Sequence, residues 1–264
     1  MNDPERVVAI DWSGNAQTGA QKKHIWTAAF SEDDPELFCG LTRDELCTKI
    51  IERFQNTRTV IGIDFAFSFP VSYFRDKCLS EVGALWQLAE EHGEKWLGTC
   101  PHPLWGKPGI KRTHSHHAEG FRQTDRAISV DGICPKSPFQ IGGAGAVGTG
   151  SIRGMPILRR LRDAGFSVSP FDRPNLPLVI EIYPRILTGA VRKSNAAARA
   201  AYLAQPAYDS LSANVSYVAA SSEDAFDAFL SAFKMWTHRK QFAQLLQASD
   251  PTELLEGCIW KPAQ

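Results

Sequence analysis

The sequence predicts an α/β fold, one domain with a mixed five-stranded sheet flanked by helices. Three observations carry this. Val7-Val8-Ala9-Ile10-Asp11 and Val60-Ile61-Gly62-Ile63-Asp64 are apolar, largely β-branched runs of strand length, each stopping on a single carboxylate. Neither alternates with polar residues, so both read as strands buried on two faces at the centre of a sheet. The third observation is size: 264 residues, 43% hydrophobic and 22% charged, suit one elaborated domain with ample core.

Residues 6–11 form the first strand, and Asp11-Trp12-Ser13-Gly14-Asn15 makes a turn. His24–Phe30 pairs back as the second strand, with a short third near Leu37-Phe38-Cys39. A helix begins at Thr42. Leu46, Ile50, Ile51 and Phe54 share its apolar face, and Asp44 and Glu45 fall in the first turn, where the helix dipole favours acids. Asn56-Thr57-Arg58 ends it, and the strand to Asp64 follows. From about residue 66 to 150 the pattern loosens into a large insertion after the fourth strand. It holds a helix over Ser80–Trp96 and a long loop marked by Pro101, Pro103, Gly106, Pro108 and Gly109. Met155–Ala164 is a basic helix closed by Gly165. Leu178–Ile182 is the fifth strand. Pro184 opens a helix leading to the alanine-rich Ser194–Ala204. The last long helix runs from about Ser222 to Phe242, with Phe229, Phe233 and Trp236 as its stripe.

Composition narrows the class. No apolar stretch approaches the roughly 18 residues of a membrane span. Met1-Asn2-Asp3-Pro4-Glu5-Arg6 lacks the layout of a signal peptide, so a cytoplasmic protein with no membrane partner is expected. The six cysteines form no C-x-x-C pair, against both structural zinc and a disulfide framework. The formal net charge of +0 conceals an asymmetry: residues 106–199 carry 15 Lys/Arg against 6 Asp/Glu. A basic middle permits an anionic-ligand surface, and solvated helix faces explain the same count.

If the two apolar strands are parallel neighbours, Asp11 and Asp64 emerge side by side at their carboxyl ends, where open α/β sheets place ligands. Carboxylates that close repel unless a cation or a proton sits between them. Asp224 and Asp227, at i and i+3, add a second pair on one helix face. Ser221-x-x-Asp224 fits a capping box, which accounts for Asp224 but not for Asp227. Glu181 sits mid-strand among apolar residues and needs a partner, either an arginine, with Arg185 nearby, or a metal. Phe121-Arg122-Gln123-Thr124-Asp125 offers Arg122 and Arg126 as anion contacts. His114-x-His116-His117, on a Gly/Pro-rich loop, reads as exposed, substrate-facing or metal-binding. Gly143-Ala144-Gly145-Ala146-Val147-Gly148 spells a dinucleotide fingerprint without a strong βαβ setting. A glycine loop that lines a site, or enters the next helix, is the better reading.

Taken in order, these pieces resemble the ribonuclease H-like superfamily, whose core is three antiparallel strands, a helix, a parallel strand, then further helices and a strand. An acid ending the first strand, another on the fourth and a D-x-x-D on a late helix match Asp11, Asp64 and Asp224/Asp227. More specifically, the chain is similar to domain-of-unknown-function family 429, predicted nucleases of this fold. The segments concerned are Gly62-Ile63-Asp64-Phe65-Ala66, Arg122-x-Thr124-Asp125, Ser137-Pro138-Phe139-Gln140, Glu181-x-Tyr183-Pro184 and Asp224-Ala225-Phe226-Asp227-Ala228. Bacterial Holliday-junction resolvases of the superfamily usually carry Glu on the fourth strand, where this chain has the shorter Asp64. The resemblance implies a metal-dependent phosphodiesterase. Mg²⁺ or Mn²⁺ would be held by Asp11, Asp64, Asp224 and Asp227, with Glu181 completing the cluster or positioning water. Arg122, Arg126, His114 and His116 would hold the phosphates of a nucleic acid. Related folds that bind ATP, or that have lost catalysis, leave two other expectations; in the first, Asp11-Trp12-Ser13-Gly14 is a phosphate turn.

Overall fold

The computed structural model describes residues 1–33, 35–112, 120–209 and 211–263. Its strands are β1 (Arg6–Asp11), β2 (Trp26–Phe30), β3 (Glu36–Phe38), β4 (Thr59–Ile63), β5 (Ser167–Val168) and β6 (Leu178–Glu181). They form one mixed sheet in the order β3-β2-β1-β4-β6-β5. The first three are antiparallel, and β1, β4, β6 and β5 run parallel. The sheet therefore has six strands rather than five. The extra one, β5, is two residues at the edge, too short to leave a periodic signal.

The helices are α1 (Thr18–His24), α2 (Arg43–Phe54), α3 (Val71–Asp76), α4 (Val82–Thr99), α5 (Gln123–Ala127) and α6 (Gly148–Asp163). They continue with α7 (Pro184–Thr188), α8 (Ala196–Leu203), α9 (Ala213–Ala220), α10 (Glu223–Thr237) and α11 (Glu253–Glu256). No helix among the described residues is long and apolar enough to cross a membrane.

Helix starts follow local chemistry. Thr42 and Glu45 make a full capping box at α2: the Glu45 N–H donates to Thr42 Oγ1 (3.2 Å) and the Thr42 N–H to Glu45 Oε2 (2.8 Å). At α10 the cap is Ser222, which accepts from the Ala225 N–H at 3.0 Å, while Ser221 closes α9. α6 starts at Gly148, ahead of Met155 where its apolar stripe becomes legible. α10 stops at Thr237, and a 3₁₀ stretch follows over Arg239–Gln244. α1 lies between the Asp11–Asn15 turn and the second strand, where the sequence carries no periodic signal, because Gln21 is its only buried residue; it also takes His24, so the second strand begins only at Trp26.

Both faces of the sheet are covered, which is why the central strands do not alternate. Val8 and Ile10 join a cluster with Leu46 and Ile50 of α2, Trp86 of α4 and Met155 of α6. Val7 and Ala9 join a second with Phe226, Phe229 and Met235 of α10. All four β1 residues are 0% exposed. Side-chain parity then sets where the terminal acids point. Asp11 continues the Val7/Ala9 set and Asp64 continues Val60/Gly62, so both face α10. Glu181 falls one residue out of phase, with Val179, and faces α4 and α6. Gly62 brings α10 in close: a Cβ there would sit 2.8 Å from Met235 Sδ and 2.8 Å from Ile182 Cγ2.

Candidate acidic site

β1 and β4 are hydrogen-bonded neighbours, with Ile10 opposite Ile63, and the Asp64 N–H donates to the Ile10 carbonyl at 3.0 Å. Asp11 and Asp64 thus leave the sheet side by side. α10 crosses β1 and β2 and carries Asp224 in its first turn and Asp227 one turn on, near the positive end of its dipole. The result is a mutual electrostatic conflict. Burial pushes the Asp11 carboxyl well above the carboxylate range, and Asp64, Asp227 and Asp224 push it further. Burial and Asp227 push Asp64 up to about 8. Both side chains keep part of their surface open, yet desolvation by the surrounding sheet and helix is the leading cause for each.

Asp227 is the most enclosed of the four at 9% exposure. Burial raises its carboxyl too, against the pull of Lys193. One oxygen, Oδ2, accepts from Lys193 Nζ. The other, Oδ1, is buried with no hydrogen-bond partner. Asp224 is more open and its Oδ2 lies 2.7 Å from His24 Nδ1. Among the described residues no three His, Cys, Asp or Glu side chains stand close enough together to hold a metal ion. Lys193 opposes the rise at Asp11, Asp64 and Asp227 alike, and Arg185 adds to it at Asp227.

Beside Asp64 opens a cleft of ≈ 430 Å³, walled by the Trp12–Asn15 turn, Val147–Gly150 at the entry to α6, Lys136 and Tyr183. Two arginines hold the turn from behind. Arg43 donates to the carbonyls of Ser13 (2.9 Å) and Asn15 (2.8 Å), and Arg153 to that of Gly14. The Trp12 indole N–H donates to the Gly150 carbonyl at 3.1 Å. A Cβ on Gly14 would fall 2.5 Å from the Gly150 nitrogen, so the turn and the glycine loop are in backbone contact. Tyr183 lines the same cleft as Asp64, and burial first, then Asp64, pushes its phenol up.

Glu181 lines the same cleft as Asp64, together with Arg122 and Asp125, and adds to the rise at Asp64, but it leaves the opposite face of the sheet. Its carboxylate is clasped by Arg122, which donates from Nη1 (2.7 Å) and Nη2 (2.6 Å), and it also accepts from the Phe67 N–H (2.9 Å). The arginine partner is Arg122, not Arg185. Arg122 also bonds Asp125 through Nε and Nη2 and the Glu256 carbonyl through Nη1, so all of its side-chain donors are used. Burial alone would lower its pKa; Asp125 and Glu181 outweigh that and hold it up. At 1% exposure it has no donor left for a phosphate. Arg126 is exposed on α5 and does not line the cleft. His114 and His116 lie outside the described residues.

Lys193 and His24 are the site residues that sequence reasoning passed over. Neither sits in a periodic segment or a recognisable motif. No family model, curated protein or solved structure matches this chain.

Proposed function

We propose that the protein is a ribonuclease H-like, metal-dependent nuclease of domain-of-unknown-function family 429, hydrolysing phosphodiester bonds of DNA or RNA in the cytoplasm. Asp227 is the observation that carries the reading: a buried carboxylate with one oxygen unpartnered, sharing its surroundings with Asp11 and Asp64. A natural protein seldom leaves such an atom unsatisfied unless something else is to bind it. The element order supports the reading as well, since three antiparallel strands, a helix and a parallel strand precede the late helix with its D-x-x-D.

Carboxylate oxygens suit Mg²⁺ or Mn²⁺, and Asp11, Asp64, Asp224 and Asp227 would hold the ions. A divalent ion bound there supplies Lewis-acid charge for displacement at phosphorus. Asp64, on the cleft wall, joins the cluster to the space where a strand would lie. Lys136 offers that strand a cation. Lys193 neutralises Asp227 until an ion takes its place. The test uses labelled single-stranded, duplex, branched and hybrid substrates with Mg²⁺ or Mn²⁺. Ion-dependent cleavage that disappears in Asp11→Asn is expected; cleavage that survives this change overturns the assignment.

Nucleotide binding is a second reading with one observation in its favour. Contact between Gly14 and Gly150 sets a helix entry opposite the Asp11–Gly14 turn, the kind of backbone pair that cradles phosphates. Saturable ATP binding without nucleic-acid binding would favour it.

A further inference from the structure

We propose that the cavity between α3, α4 and the Pro101–Leu104 segment binds a nucleobase together with its phosphate, from a free nucleotide or from a single strand of nucleic acid. None of its lining residues belongs to the cleft at the acids, and nothing in the nuclease reading is needed to infer it.

Three features define the ligand. The first is an aromatic wall in a space of ≈ 350 Å³, the size of a small-molecule site. Trp96 meets Tyr73 edge-on, with ring centroids 6.2 Å apart at 70°, and the His92 ring is 6.4 Å from Trp96. Trp96 is only half-buried, so its indole offers a stacking face.

The second is charge. Lys77 and Lys95 line the cavity and no Asp or Glu does. Lys77 Nζ lies 6.0 Å from the Tyr73 ring, and the Lys95 ammonium has no ion-pair partner among the described residues. Glu91, 3.8 Å from His92, is exposed and outside the lining. In a chain of formal net charge +0, two lysines without a carboxylate are a local excess that complements a phosphate.

The third is a donor within reach. Tyr73 is 5% exposed as a whole and lines the cavity, and its hydroxyl is not among the enclosed polar atoms that lack a partner. A phenol with an apolar body and an accessible polar tip suits a ligand that is both flat and polar-edged. The polar edge of a base would accept from it. Apolar residues such as Leu88 and Leu104 complete the lining and suit neither a bare phosphate nor a metal ion. What remains is a flat ring carrying an anion.

The experiment uses the full chain in EDTA, so that cleavage cannot intervene. A fluorescein-labelled oligothymidylate is followed by anisotropy and AMP by calorimetry; a 4-thiouracil oligonucleotide is crosslinked and the attached peptide identified. Saturable binding of AMP or of the oligonucleotide is expected, with the crosslink on the Tyr73 or Trp96 peptide. Trp96→Leu should weaken binding about tenfold or more and Trp96→Phe should restore most of it. Lys95→Glu, at the exposed rim where a surface change costs folding little, should weaken binding and flatten its salt dependence. AMP binding alone assigns the free nucleotide as source, and oligonucleotide binding alone the single strand. No binding of either probe, or binding indifferent to both Trp96→Leu and Lys95→Glu, overturns the proposal. Trp96-dependent binding in a protein that cuts nothing with Mn²⁺ keeps this site and sinks the nuclease; ion-dependent cleavage with indifferent variants does the reverse.

Discussion

Asp64 is held at the end of a ladder that fixes its backbone, and burial with Asp227 pushes its carboxyl up to about 8. Such a group binds its proton more tightly in the folded chain than in the unfolded one, whose aspartates titrate near ~4. The folded state is therefore favoured at low pH, and that stability is lost as pH rises through the window from about 4 to about 8. Each tenfold gain in proton affinity is worth about 1.4 kcal/mol, and solvent at the cleft screens part of it. Asp64→Asn should accordingly stabilise the metal-free protein by roughly 2–3 kcal/mol above that window and by little below it, read from urea unfolding at both pH values. Destabilisation at high pH would contradict the picture of a strained acid. Lys193 supplies the main counter-charge, and Lys193→Met leaves the buried Asp227 with only the weaker pull of Arg185. The metal-free Tm should fall, while the rise in Tm on adding Mn²⁺ should grow. An unchanged response to Mn²⁺ would mean that no ion reaches Asp227.

Among the elements, α10 matters most to the site, because it brings two acids to strands that contribute the other two. Its approach depends on a missing side chain. Gly62→Ala would press on Met235 and Ile182 and should cost about 1–3 kcal/mol, as overpacked cores do. It should also shrink the Mn²⁺-induced rise in Tm by moving Asp227 away from Asp64; a full metal response would show that the spacing of α10 is not critical. This much was legible in the sequence: two apolar runs ending on acids, and a helix whose period places Asp224 and Asp227 on one face. The unread parts have physical causes. Lys193 sits in a turn between α7 and α8, and His24 ends a helix with no apolar stripe, so neither leaves a periodic trace. The Ser221-x-x-Asp224 capping box does not form: the backbone makes the adjacent Ser222 the cap of α10, a one-residue shift that spacing alone does not resolve. Parity along β6, read strictly, would have turned Glu181 away from the acids, whereas its partner Arg122, 59 residues distant, is beyond any local pattern.

Across the whole molecule, Arg122 ties the insertion, the sheet and the C-terminal segment together. Glu256, next to it, accepts from the N–H groups of Val71 (2.7 Å) and Gln123 (2.6 Å). The Ile259 N–H donates to Thr124 Oγ1 (3.0 Å) and that of Trp260 to the Glu181 carbonyl (2.8 Å). Arg122→Leu strands Asp125 and Glu181 as unpaired buried charges and should cost about 3–5 kcal/mol. A loss under about 1 kcal/mol, measured by urea unfolding, would show that water or protonation replaces the guanidinium cheaply. On the strands, Glu181 is turned from Asp11 and Asp64 only by which side of the pleat each residue occupies. Inserting one residue within β4 would rotate Asp64 toward the guanidinium and put Ile63 in its former position, and a deletion would put Phe65 there, either one extinguishing the cluster while barely altering composition. Drift in length is thus far more dangerous to this molecule than drift in spelling.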